Sequence, residues 1–457
     1  MFTGLKTQHE LSDCFINDIV PHDHDLVKLK KVLNWGGINR VYESCYPSRR
    51  GNATKRTELV IGLLILKHLY RKPDRVLIDE LHMNNAFMHF CSVSYEEMKG
   101  YNREGMKIID HSTLVKVRKK LGDEKVEKIE RLFTEELIAK KVITGKYVFS
   151  DTTSLEKNIS YPTEVSLLKR VIEHAEMVVQ GVVKKKELMK TAVIKKANRI
   201  AKVYYSASEK TKELLEGATK QLLAIAKDTL ERAAVRFCGS GKRVKEGLQK
   251  GFERVEGVGK RIVEQVEGKL RGEKVSDRIV SYYEEEARAL PKGKVHKPCE
   301  FGHKVRLDMN GDGYITNWRL CRGNPADVGM LEEAVEEHAE RFGEAFKAGA
   351  MDRGYYDGEK IGKLEERYGI CLAIPHKSDR KKKLSRREKR LCNKRSAIES
   401  RISEGKRMAG LDKSYYRGFE GDGIWAAFTV MALNIRKVLM EIRKKPGVRS
   451  KLALSNG

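Results

Sequence analysis

At 457 residues the chain is long enough for two or more domains, and its 91 Lys and Arg against 64 Asp and Glu leave a formal charge of +27. So large a surplus calls for a polyanion as partner, nucleic acid first among them. Composition argues against a membrane span, because the longest apolar runs (Leu59 to Leu66 and Ile424 to Leu433) fall short of the ~20 residues a bilayer needs.

The N-terminus, MFTGLKTQHELSDCF, shows no apolar stretch with a cleavage site, so no secretion signal is expected. Cys14, Cys45, Cys91, Cys238, Cys299, Cys321, Cys371 and Cys392 stand apart without a C-x-x-C pair, which argues against a zinc ribbon and suits a cytoplasmic protein. Residues 1–145 read as an all-α domain. TELVIGLLILKHLY is apolar nearly all round, as a buried helix is, and a second helix is expected over PDRVLIDELHMNNAFMHF. In DHSTLVKVRKKLGDE, Ser112 or Thr113 can cap a helix that Gly122 ends. Leu114, Val117 and Leu121 share one side, and Lys116, Arg118, Lys119 and Lys120 are placed on the others. Such a basic face suits DNA phosphates, and equally a solvated surface.

At Lys146 the period changes: KYVFSDTT alternates and ends on an acid, as a strand does. Residues 161–290 then return to helical spacing with lysines between apolar positions, broken at Gly239-Ser-Gly241. These lysine-rich faces suit DNA, a second subunit or solvent. From 291 to 445 FGHKVRLDM and YITNWRLCRG alternate around Asn310-Gly-Asp-Gly313, and helices and short strands follow through ICLAIP to a terminal helix in which Trp425 is expected in the core. Residues 446–457 form a basic tail. The fold class is therefore α/β, with a mixed sheet interrupted by a long α-helical insertion.

DMNGDGYIT spells the start of a calcium loop, but the twelfth position, which should be Glu, is Arg319, and strands flank it in place of helices. A hairpin turn is expected, with Gly313 in a left-handed conformation and Asp308 and Asp312 as turn acids. Three other acids stand out. Asp151 ends KYVFSD, Asp352 sits in GAMDRGYYD, and Glu399 lies in the basic helix RLCNKRSAIESRISEGK. Singly, each has an ordinary reading: a turn cap, a partner for Arg353, an i,i+4 pair. Together, acids at strand ends and on a facing helix can hold two metal ions for phosphodiester chemistry.

These segments resemble the insertion-sequence transposases of the Asp-Asp-Glu type. The resemblance runs through the helical N-terminal region, VFSDTTSLEKNISYPTE with Asp151, the hairpin closed by Gly323-Asn-Pro-Ala-Asp327, and MDRGYYD with Asp352. In the third-acid helix Arg395, Glu399 and Lys406 keep the family spacing, while Cys392 stands where a tyrosine is usual; Glu404 and then Glu388 are weaker candidates for the acid. The resemblance implies an RNase H-like catalytic core, two Mg2+ (or Mn2+) ions on Asp151, Asp352 and Glu399, and phosphate contacts from Arg395 and Lys406. It also implies double-stranded DNA partners (terminal inverted repeats and target), a homodimer in the DNA complex and a nucleoid-associated location. A catalytically inactive DNA-binding descendant and a metal-dependent nuclease on the same core are the alternatives.

Overall fold

The structure, a computed structural model, describes residues 19–46, 55–105, 107–209, 211–292, 298–377 and 384–453. Cys14 and the N-terminal stretch around it lie outside these residues, as do residues 454–457 of the basic tail. Two compact units form, residues 1–156 with 304–457 and residues 157–303.

The first unit starts with helices α1 (Asp25–Val32), α2 (Trp35–Glu43), α3 (Thr57–Leu69), α4 (Asp74–Leu81), α5 (Asn85–Phe90), α6 (Tyr95–Glu104) and α7 (His111–Ala139). α3 is buried on every side, as its continuous apolar run requires. The single helix expected after Pro73 is two, because Asn84 turns its side chain back to accept from the Phe87 N–H and starts α5. At α7 the cap is Asp110, whose carboxylate accepts from the Ser112 N–H at 2.8 Å, and neither Ser112 nor Thr113 fills that place. Gly122 kinks α7 at φ 70° without ending it.

Strand β1 (Tyr147–Lys157) leads into the second unit, where α8 (Glu164–Gln180), α9 (Ala192–Ser206), α10 (Lys212–Cys238), α11 (Lys242–Arg254) and α12 (Lys260–Leu270) pack around Val171, Leu222, Ala226 and Ile262. A π-helical turn, Val255–Gly259, joins α11 to α12. Within this unit β2 (Arg288–Pro291) pairs antiparallel with the first residues of β3 (Cys299–Asn310).

Back in the first unit follow β4 (Ile315–Cys321), α13 (Leu331–Phe342), β5 (Ala348–Met351), α14 (Gly358–Tyr368), β6 (Cys371–Ala373), α15 (Arg386–Met408), β7 (Lys413–Ser414), α16 (Gly418–Lys444) and α17 (Pro446–Lys451). The sheet runs β4-β3-β1-β5-β6, with β7 also on β1. β3 and β4 are antiparallel, and β1, β5 and β6 are parallel, so the sheet is mixed. The β3–β4 turn holds Gly313 at φ 90°, the left-handed conformation its sequence calls for.

Asp308 is not in that turn. It is a strand residue, 1% exposed, ion-paired at 3.2 Å to Arg306, whose side chain is fully buried. Arg306 also meets Glu333 at 3.1 Å and Glu337, both from α13, and Arg319 closes the cage on Glu333 at 2.9 Å.

By length and composition α16 is apolar enough to cross a membrane, yet 83% of its apolar window is buried in this unit. It packs on α3, α7 and β4, with Trp425 in the core. From α16, Asn434 accepts from the Ile315 N–H at 2.9 Å and donates to the Ile315 carbonyl at 2.7 Å, so its amide acts as a one-residue strand along β4.

Candidate active site

Parallel pairing of β1 with β5 sets Ser150 opposite Met351, so Asp151 on β1 and Asp352 just past the end of β5 each follow a paired residue by one position. Beyond β5 the chain turns, and Asp352 caps that turn by accepting from the Arg353 N–H at 2.7 Å. α15 packs across β5 and β6, seated through buried Leu391 and Ile398. One turn along the same face, Arg395 reaches down to the sheet. Its Nη1 meets Asp151 Oδ2 at 3.1 Å and its Nη2 meets Glu399 Oε1 at 3.0 Å. One guanidinium therefore ties the strand acid to the helix acid. Cys392, in place of the family's tyrosine, donates its thiol to the Ala373 carbonyl at 3.5 Å and serves packing on β6.

Burial pushes the Asp151 carboxyl up to about 6; the Thr152 N–H and Arg395 pull it down, and Asp352 and Glu399 push it up again by repulsion. Asp151 thus senses both other acids. Among the described residues no three carboxylate, imidazole or thiol groups stand ready-made for a metal, and Arg395 supplies positive charge between two of the acids. The donor set itself is that of a hard divalent cation, carboxylate oxygens only, in a place where added positive charge offsets repulsion.

The rival acids have structural partners. Glu404 pairs with Arg401 and Arg436, and Glu388 completes a capping box with Ser385 at the start of α15. Lys406 lies on the last turn of α15. On α7, Lys116, Lys119 and Lys120 are exposed, but Arg118 is not on that face. It is buried on Asp74 at 2.8 Å, because residue 118 follows Leu114 by four positions and turns to the same side.

Asp327, which closes the Gly323-Asn-Pro-Ala-Asp327 motif, also stands beside the site. Its Oδ1 accepts from the Thr152 hydroxyl at 3.3 Å and from Lys304 at 3.1 Å. Its Oδ2 lies 2.7 Å from where a Cβ on Gly354 would stand, so the Asp352 turn closes against Asp327 only because residue 354 has no side chain.

Two family models match the chain, a transposase domain (DUF772) over residues 15–120 and a transposase DDE domain over residues 301–435. The chain belongs to the DDE transposases of insertion sequences. That family implies an enzyme that cuts and rejoins DNA. The second range takes in Asp352 and Glu399 of the transposase, while Asp151 lies outside both. The transposase is also similar to the uncharacterized protein ORF8 in the nfe locus of Rhizobium meliloti, 26% identical over 160 residues that cover 33% of this chain and 72% of that protein. No solved structure matches it.

Proposed function

We propose that the transposase cleaves the ends of its insertion sequence and joins them to target DNA as a homodimer, on an RNase H-like core. The sheet order, with an antiparallel β3–β4 pair beside parallel β1, β5 and β6, supports that core. The observation that carries the reading is the register of β1 and β5, which sets Asp151 beside Asp352 while Arg395 draws Glu399 to the same place.

In this reading Asp151, Asp352 and Glu399 hold two Mg2+ or Mn2+ ions. When bound, such a pair activates the attacking oxygen and stabilises the leaving oxygen of a phosphodiester. The chain's own part is to place and orient. Parallel strands fix two acids at one height, and α15 brings the third over them. Arg395 keeps the acids from repelling one another and is placed to donate to a DNA phosphate. Lys406 on α15, and Lys116, Lys119 and Lys120 on α7, are phosphate contacts that position DNA without reading its sequence.

The test is an assay with labelled DNA carrying the terminal inverted repeats, in Mg2+ or Mn2+. Wild type should give cleaved and joined products, and Asp352→Asn should lower both by about a thousandfold, the scale of losing a group that acts on the transition state. Equal products from the two proteins would overturn the assignment. Cleavage without joining would favour a nuclease, and binding alone an inactive descendant.

A further inference from the structure

We infer that a cavity of about 410 Å³, walled by α3, α4, α7 and the β7 segment, is a second binding site, specific for a phosphoryl oxyanion supplied by a DNA backbone or by free phosphate. Its charged lining is nearly all cationic, set among His68, Tyr415, Tyr416 and Trp425. Lys67, Arg71, Lys72, Arg118 and Lys413 line it, and Asp74 is the one acid among its lining residues.

The deepest charges do not balance. Lys67 meets Asp74 at 2.7 Å and Arg118 meets the other oxygen of the same carboxylate at 2.8 Å, and each of the two cationic side chains is 9% exposed. One carboxylate is thus the ion-pair partner of both buried cations among the described residues, and beyond it they face aromatic rings, Arg118 over Tyr416 at 4.3 Å and Lys67 over Trp425 at 5.6 Å. A guanidinium stays charged at any working pH, so the excess cannot be shed at Arg118. Burial holds the Lys67 ammonium below its ordinary value even against the pull of Asp74, as expected where positive charge is in excess. Nη1 of Arg118 is buried with no hydrogen-bond partner among the described residues. A buried charge left short of partners is costly, and an entering anion removes that cost.

The outer wall narrows the choice of anion. Arg71 and Lys72 are engaged by Asp412 and Glu80, whereas Lys413 has no ion pair among the described residues. Tyr415 stands 61% exposed beside it. Guanidinium and ammonium donors converging from several directions suit the tetrahedral oxygens of a phosphoryl group, and the volume lies within the roughly 300–1,000 Å³ of ligand pockets. Lys413 also belongs to β7, which pairs with β1, the strand of Asp151. A phosphate held here would be fixed to the same strand as the first candidate acid.

Two measurements on the full chain test this, and neither depends on catalysis. In the first, thermal unfolding is compared in inorganic phosphate and in chloride at matched ionic strength. Wild type should melt a few degrees higher in phosphate, as linkage requires of a ligand that binds only the folded state. Lys413→Ala should melt like wild type in chloride and lose most of the phosphate gain. Replacing the triad together (Lys67→Met, Asp74→Leu, Arg118→Leu) avoids a lone buried charge and should abolish the gain. In the second, duplex affinity is followed against salt, and Lys413→Ala should flatten the logarithmic slope by about one if DNA supplies the phosphate. A phosphate gain lost in the variants with an unchanged slope upholds the site with free phosphate as ligand; a changed slope without a phosphate gain upholds it with DNA. No phosphate gain in wild type and no change of slope overturns it, as does a gain that survives both variants.

Discussion

Two charged clusters share the first unit and differ in how fully their charges are answered. Around Arg306, three carboxylates (Asp308, Glu333 and Glu337) meet one buried guanidinium, and Asn317 and Arg319 bind the glutamates in turn. Around Asp151, Arg395 is shared between two acids, the third is held among the described residues only by the turn it caps, and Asp151 is left with a carboxyl harder to ionise than usual. The first cluster sets two guanidiniums against three carboxylates, and even there Asp308 Oδ1 is buried without a hydrogen-bond partner among the described residues and burial pushes the Asp308 carboxyl up. The second sets one guanidinium against three acids and has more to gain from an added cation. The fuller balance suits a cluster that holds the fold, and the larger shortfall suits one that takes a ligand.

The largest expected effect tests the better balanced side. Arg306→Met leaves Asp308 buried without its cation and should cost about 3–5 kcal/mol, the range for breaking a buried ion pair from one side. Urea unfolding measures it, and a loss under about 1 kcal/mol would mean the cage is not structural. Next comes the join between Asp327 and the Asp352 turn. Gly354→Ala pushes a Cβ into Asp327 and should lower strand cleavage ten- to a hundredfold with DNA affinity unchanged, since small displacements of reacting groups are that costly. Adding Asp327→Ala opens the space, and the double variant should cleave better than Gly354→Ala alone; if it does not, the two residues are uncoupled.

The smallest effect tests the poorly balanced side. A carboxyl whose folded pKa is raised to about 6 is destabilising once ionised, so the penalty is absent below about pH 4 and complete above about pH 6. Asp151→Asn, metal-free, should therefore melt about 2 °C above wild type at pH 7.5 and level with it at pH 4. A variant that melts lower at pH 7.5 would show Asp151 to be a satisfied structural acid.

Much of this was legible in the sequence. The all-round apolar run of α3, the β3–β4 turn and Trp425 in the core follow from period and turn chemistry, and the Arg395–Glu399 contact follows from an i,i+4 spacing. What escaped were places where a charge turns inward. Arg118 reads with its basic neighbours, although four residues from Leu114 is a buried position, and its partner Asp74 lies 44 positions away. Asp308 read as a turn acid because Asn310, Gly311 and Asp312 follow it, yet β3 runs on through Asn310. Asp327 could not be weighed, because only the fold brings it to Thr152 and Gly354.

The stretch that imitates a calcium loop has its own use. Asn310 donates to the Thr144 carbonyl at 3.0 Å, the Thr144 hydroxyl donates to Asp312 at 3.1 Å, and a Cβ on Gly311 would stand 3.2 Å from the Tyr147 ring. The hairpin tip is a clasp on the chain just where β1 begins. It works as the zero mark of a ruler: Asp151 stands seven residues beyond Thr144, and a slip of one residue would turn its side chain to the opposite face of the sheet.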